Sequence, residues 1–207
     1  MTPLGTLDIG GDPGAWRALG LTLDDDHRIA LENGALRIVP GEMGLLGWTL
    51  VGVSPDLEAI DGLPTRVASA APPPAAAHPC GAFEIDHVVV LSGDLERTCE
   101  AVAQATGAPL KRIREVGTMR QGFHRLGPGG IIVEVVERPE LQGPTAAFWG
   151  LVLNVTDLEA CVTRLGPERA HPAKDAVQPG RRIATLRRGA NLGLPVALMS
   201  PPPKRDA

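Results

Sequence analysis

The chain has 207 residues, 43% of them hydrophobic and 21% charged, with a formal net charge of −4. That is enough apolar material for a packed core, and the acidic balance leaves no electrostatic footprint for nucleic acid or an anionic membrane. No apolar run approaches the roughly 18 residues of a membrane span, and MTPLGTLDIGG lacks the basic start and apolar centre of a signal peptide. A cytoplasmic protein with a small-molecule partner is the expectation. The three cysteines, Cys80, Cys99 and Cys161, have no C-x-x-C spacing and read as reduced thiols.

A ten-residue pattern recurs along the chain: GTLDIGGDPG from Gly5, TLVGVSPDLE from Thr49, HVVVLSGDLE from His87 and GLVLNVTDLE from Gly150. Each joins a strand-like apolar run to a small or turn residue and then an Asp placed to cap a helix. The Gly5 window is the weakest of the four. Near the N-terminus GTLDIGG, LTLDD, HRIALENG and ALRIVPG read as strands around a short helix at PGAWRALG, so residues 4–41 form one unit. The copy that starts at Thr49 is expected to stop after its first strand, because SAAPPPAAAHPCG cannot supply regular strands.

After Asp94 the apolar positions Leu95, Cys99 and Val102 follow one helical face, with Gly107 as the C-terminal cap. Strands are expected at 110–117, 120–127 and 130–137, the last two joined by a GPGG turn. This is a β-α-β-β-β unit. From Gly150 a second unit follows, with a helix on Leu158, Cys161, Val162 and Leu165 and strands at 181–188 and 194–200, while 167–180 has weak strand character. The expected organisation is a truncated repeat at 1–69, a Pro/Ala linker at 70–82, two paired modules at 83–139 and 147–201, and a disordered tail at 202–207.

Strand alternation puts His87, Val89 and Leu91 on one face, and Ile132, Glu134 and Val136 on one face of theirs. A lone Glu inside IIVEVVE is costly to bury unpartnered, so Glu134 is expected to face a cleft, a cation or a base. In FWGLVLNV, Phe148 and Trp149 either line a ligand pocket or pack between units. The basic residues Lys174, Arg181, Arg182, Arg187 and Arg188 read as a solvated strand edge, with reception of an acidic substrate as the alternative.

IDHVVVLSGDLE, GIIVEVVERPE and the paired units of 83–201 resemble the vicinal oxygen chelate superfamily, the glyoxalase, bleomycin-resistance and ring-cleaving dioxygenase group. The resemblance implies an α+β fold of paired βαβββ modules whose open curved sheet surrounds a cleft, with a degenerate N-terminal copy. It also implies one divalent metal such as Zn, Mn, Fe or Ni, held by His87 and Glu134, with Glu134 as catalytic base. His124 and Trp149 are candidate substrate contacts. The positions matching His87 and Glu134 in the second module are Gly150 and Ala197, which cannot ligate. The metal site is therefore incomplete, unless two copies of the His87 unit meet in a homodimer. The implied function is a metal-dependent lyase, isomerase or dioxygenase acting on a small carbonyl compound. A metal-free binding or sequestering protein is the alternative.

Overall fold

The computed structural model describes residues 3–70, 72, 74–141, 143 and 145–203. The N-terminal elements are β1 (Leu4–Gly10), α1 (Pro13–Ala18), β2 (Arg28–Leu31), β3 (Gly34–Val39), β4 (Gly44–Val51), β5 (Ala59–Ile60) and β6 (Leu63–Ala68). Next come β7 (Ala82–Ser92), α2 (Leu95–Thr106), β8 (Arg112–Val116), β9 (Met119–Arg125), β10 (Ile132–Glu137) and β11 (Ala147–Val155). The last are α3 (Leu158–Leu165), β12 (Lys174–Asp175), β13 (Arg182–Thr185) and β14 (Val196–Met199). Among the described residues no helix is long and apolar enough to cross a membrane.

Helix starts follow local chemistry. Asp94 accepts a hydrogen bond from Arg97 N and Asp157 one from Ala160 N, each at 2.9 Å, which satisfies otherwise orphaned N–H groups of α2 and α3. Gly107 closes α2 in the left-handed conformation, φ 68°. Leu95, Cys99 and Val102 are buried on the expected stripe, and burial pushes the Cys99 thiol up to about 11. The three cysteines are free and buried.

The C-terminal strands form one mixed sheet in the order β12-β13-β14-β11-β7-β10-β9-β8. Each module is a first strand running parallel to its last, β7 beside β10 and β11 beside β14, and the two modules join through the antiparallel pair β7/β11. The α+β fold of paired βαβββ modules is thus present, with the first strand of each module at the centre. Both faces of those central strands carry apolar residues, because one is covered by helices and the other lines the cleft.

The N-terminal sheet, β2-β3-β1-β4-β6-β5, repeats this plan. Three expectations are corrected here. The copy that starts near Thr49 does not stop after its first strand: β5 and β6 follow, and β6 runs parallel to β4. Asp56, in the same DLE context as Asp94 and Asp157, caps no helix, because its turn leads directly to β5 at Ala59. The weakest window does have one, since Asp12 accepts from Gly14 N at 2.8 Å and starts α1. LTLDD is not a strand. It is held by side chains, with Thr22 N donating to His78 Nδ1 at 3.1 Å and Thr22 Oγ1 to Ala77 O at 2.8 Å.

His78 therefore staples the Pro/Ala segment to the N-terminal sheet, its Nε2 reaching Ala30 O at 3.0 Å. Residues 71 and 73 of that segment, and 204–207 of the tail, lie outside the described residues. The two sheets meet where β4 packs on β11, with the Trp48 and Phe148 rings edge to face at 5.2 Å. A second contact is Asn33, which donates to Ile85 O at 2.8 Å and accepts from Ile85 N at 2.9 Å.

Candidate functional site

The register decides which side chains meet. In the parallel pair β7/β10, His87 lies opposite Ile132 and Val89 opposite Glu134, so His87 and Glu134 sit diagonally on the same face. His87 Nε2 is 3.3 Å from Glu134 Oε2, and both side chains are about one-eighth exposed, at 13% and 12%. On the other side of the ring, Nδ1 is 2.8 Å from Asp86 Oδ2. An ionised carboxylate only accepts, so the Asp86 contact places a proton on Nδ1, while Nε2 points into the cleft beside Glu134.

Asp86 reaches its neighbour through a bulge. The β7/β11 register passes from His87 opposite Val152 to Ile85 opposite Leu153, leaving Asp86 as an extra residue. A bulge re-aims its side chain, so adjacent residues no longer alternate between faces. Asp86 is buried, and Arg181 Nη1 lies 2.6 Å from its Oδ1. Burial alone would raise its pKa, but the bonds from His87 and Arg181 outweigh it and hold the carboxyl well below the usual carboxylate range. Arg181 also donates to Asn154 Oδ1 and twice to Ser200 O, at 2.9 and 2.8 Å. Asn154 Nδ2 in turn donates to Asp86 Oδ1 at 3.1 Å and to Glu84 Oε1 at 2.6 Å. Sequence reading missed this network. In the sequence Arg181 reads as part of a solvated basic run, and no local signal marks the bulge.

Glu134 Oε1 accepts from Gln121 Nε2 on β9. Gln121 Oε1 is buried without a hydrogen-bond partner among the described residues. His87 and Glu134 divide the cleft into two chambers. The first, about 350 Å³, has walls of Val89, Leu91, Val136, Trp149, Ile183 and Ala197, with Arg138 contributing a cation. The second, about 220 Å³, is lined by Phe123 and Ile132 beside Lys111 and Arg112, the Arg112 guanidinium standing 4.8 Å over the Phe123 ring.

The aromatic pair separates: Phe148 packs against Trp48 between the sheets, whereas Trp149 is 49% exposed and lines the first chamber. The placement of His124 as a substrate contact is corrected. His124 pairs with Val133 and so points to the helix-covered face, opposite to Glu134, where it is 1% exposed and Nδ1 bonds Ala108 O at 2.9 Å. Burial lowers its pKa, against the opposing effect of that bond.

The second module offers no metal ligands. Val152 and Ala197, paired across β11 and β14, form its part of the wall. Gly150 is closed sterically as well, since a Cβ there would lie 2.6 Å from Pro195 O. Among the described residues no group of three or more His, Cys, Asp or Glu side chains is placed to hold a metal ion. A catalytic ion commonly takes three protein ligands, and His87 with Glu134 supplies two, facing an apolar wall. The residues present do not fit a metal centre of that kind.

This arrangement of paired modules around a cleft is the fold of the vicinal oxygen chelate superfamily. No family model and no curated protein matches the sequence. Among solved structures, a triple mutant of 4-hydroxymandelate synthase from Streptomyces coelicolor superposes with a TM-score of 0.69 at 15% identity, covering 99% of this chain and 94% of that one. A halotolerant catechol dioxygenase gives 0.66 at 13% identity, with 96% and 86% covered. Methylmalonyl-CoA epimerase from Mycobacterium tuberculosis gives 0.52 at 17% identity, covering 62% of this chain and 94% of that one. At these identities the likeness is one of fold.

Proposed function

We propose that the C-terminal cleft binds a small amphipathic organic anion without a resident metal, and that His87 and Glu134 engage a hydroxyl or carbonyl oxygen of that ligand. The observation that carries this reading is the position of the pair, at the junction of an apolar chamber and one bordered by Lys111 and Arg112. An apolar body would occupy the first chamber against Trp149 and Ile183, and its charged end would reach the two cations. The unpartnered Gln121 Oε1 suits a ligand hydroxyl.

The test is a titration of arylalkyl carboxylates, followed through backbone amide and Trp149 indole signals by NMR. Saturable shifts around His87, Glu134 and Trp149 are expected, with Kd weakened about tenfold in Glu134→Gln or His87→Ala, the loss of one hydrogen bond to a charged group. Elemental analysis of protein loaded with Zn, Mn, Fe or Ni decides the metal question. Stoichiometric metal that disappears in His87→Ala would overturn the metal-free reading, and sedimentation of the loaded protein would show whether a dimer assembles the extra ligands.

A second reading is favoured by one feature, the Asp86 bond that holds a proton on His87 Nδ1 and aims Nε2 at the cleft, where a bound ligand would replace Glu134 as its partner. In it, Nε2 takes a proton from carbon beside a ligand carbonyl, the C–H electron pair forms a C=C bond while the carbonyl π pair moves onto oxygen, and the proton returns on collapse. Solvent deuterium entering the α position of a bound 2-aryl carbonyl compound, and failing to enter with His87→Ala, would establish this activity. Absence of exchange under saturating ligand leaves binding as the function.

A further inference from the structure

The N-terminal sheet holds a second cavity, of about 300 Å³, and the register shows that it is the positional duplicate of the first chamber. In the C-terminal sheet Val89 faces Gly150 on one side and Glu134 on the other; in the N-terminal sheet Asp8 faces Gly47 and Arg37. Gly47 and Gly150 are marked as equivalents independently. A Cβ on either would run into a proline carbonyl, Pro64 O at 2.9 Å and Pro195 O at 2.6 Å. Counting from these glycines, Leu46 corresponds to Trp149 and Arg66 to Ala197, while Val39 corresponds to Val136 and Thr6 to His87. The sequence repeat sets Gly5 against His87, one residue out of register with the sheets.

The chemistry has been exchanged. Where the C-terminal cleft carries Glu134 and Ala197, the N-terminal one carries two arginines, and both turn toward the buried carboxylate of Asp8, which is 3% exposed. Arg37 grips it with a fork, Nε to Oδ1 at 2.9 Å and Nη2 to Oδ2 at 2.7 Å, while Arg66 Nη1 also reaches Oδ2. Two guanidinium groups on one carboxylate leave a formal charge of +1 in the trio. A guanidinium has five N–H donors, and among the described residues the donors of Arg37 and Arg66 not used on Asp8 have no protein partner. The Arg66 side chain is 68% exposed, so its ion pair is weak and can be exchanged for a ligand oxygen. Glu58, the other charged residue lining the cavity, is exposed and screened by solvent.

We propose that this N-terminal cleft is a second ligand site, specific for a small organic anion whose carboxylate or phosphate oxygens are held by Arg37 and Arg66 while its apolar part rests on Val39 and Leu46. Arginine forks match both head groups in two-point geometry. The site does not depend on His87 and stands or falls separately from the C-terminal cleft.

The experiment is a titration of the full chain with benzoate and, in parallel, with inorganic phosphate, read on the Nε–Hε signals of Arg37 and Arg66 by NMR. A saturable shift of both signals with either probe is expected, and the tighter probe identifies the head group. Arg66→Ala should fold, because the side chain is exposed and Arg37 still neutralises Asp8; it should weaken binding about tenfold or more. His87→Ala should leave this binding unchanged. The proposal is overturned by the absence of a saturable shift with both probes at millimolar concentration, or by equal affinity in Arg66→Ala with an otherwise unaltered amide spectrum.

Discussion

Arg181 Nη1 stands 2.6 Å from Asp86 Oδ1, so a loop of the second module is bonded to the residue that holds the first module's histidine. Both side chains are buried, at 8% and 7% exposure. Removing one partner of a buried pair strands the other charge. Arg181→Leu is therefore expected to cost about 3–5 kcal/mol in urea unfolding. The double replacement Asp86→Leu with Arg181→Leu should cost less than the sum of the single ones. Full additivity would show that the two groups do not interact.

The same bond has a second consequence. With Asp86 fixed by Arg181, His87 is expected to populate the Nδ1–H tautomer, measurable from its ring nitrogen shifts by NMR. Asp86→Asn offers an amide in place of the carboxylate, and the tautomer should become mixed. A single Nε2–H species in the parent protein would contradict the assigned geometry.

His78 and His124 are both buried and their pKa values are lowered, in each case chiefly by burial and against the opposing effect of a backbone bond. A histidine whose folded pKa lies below its unfolded value of about 6.5 takes up protons preferentially in the unfolded chain. Stability is then full above pH ~6.5 and falls as pH drops below it. Urea midpoints should decline between pH 7 and pH 5, and His78→Gln should flatten that slope. The bonds of Asp86 add a separate loss in the acid range, since its carboxyl is held below the usual value.

Gly150 offers a test of whether the second module can be given back a ligand. Its missing Cβ would meet backbone, Pro195 O at 2.6 Å, rather than a movable side chain. Gly150→Ala should cost about 1–3 kcal/mol, the usual range for overpacking. Gly150→His should bring no metal into the protein on elemental analysis. A stable Gly150→His variant with one bound Zn would show that β14 can yield.

Phe148→Ala removes the edge-to-face partner of Trp48 between the two sheets. A loss of about 2–4 kcal/mol is expected, combining lost burial with the aromatic pairing. The Trp48 indole, which donates to Thr65 Oγ1 at 2.8 Å, should shift in the NMR spectrum. Trp149→Ala should leave stability nearly unchanged, because that ring is half exposed and lies in the cleft.

Much of the fold was legible because its signals are local. The helices after Asp94 and Asp157 announce themselves through a cap, an apolar stripe and a terminal glycine, each set contained in one short stretch, Asp94–Gly107 and Asp157–Gly166. Asp56 shows the limit: its DLE context is the same, but it stands too close to β5 for a helix to form. His124 shows another, since the sequence placed it on a strand without saying which face of that strand the helix α2 would cover.

Strand periodicity alone put His87 and Glu134 on defined faces of their strands, and the family resemblance matched them to Gly150 and Ala197, whose side chains cannot ligate. The sheet register then decided that the two polar side chains meet at 3.3 Å. The Asp86 bulge, the burial of Arg181 and the matching of Asp8, Arg37 and Arg66 to the other cleft were beyond sequence reading. Each depends on which strands lie side by side and where a register slips, and those are choices made by packing between residues far apart in the chain.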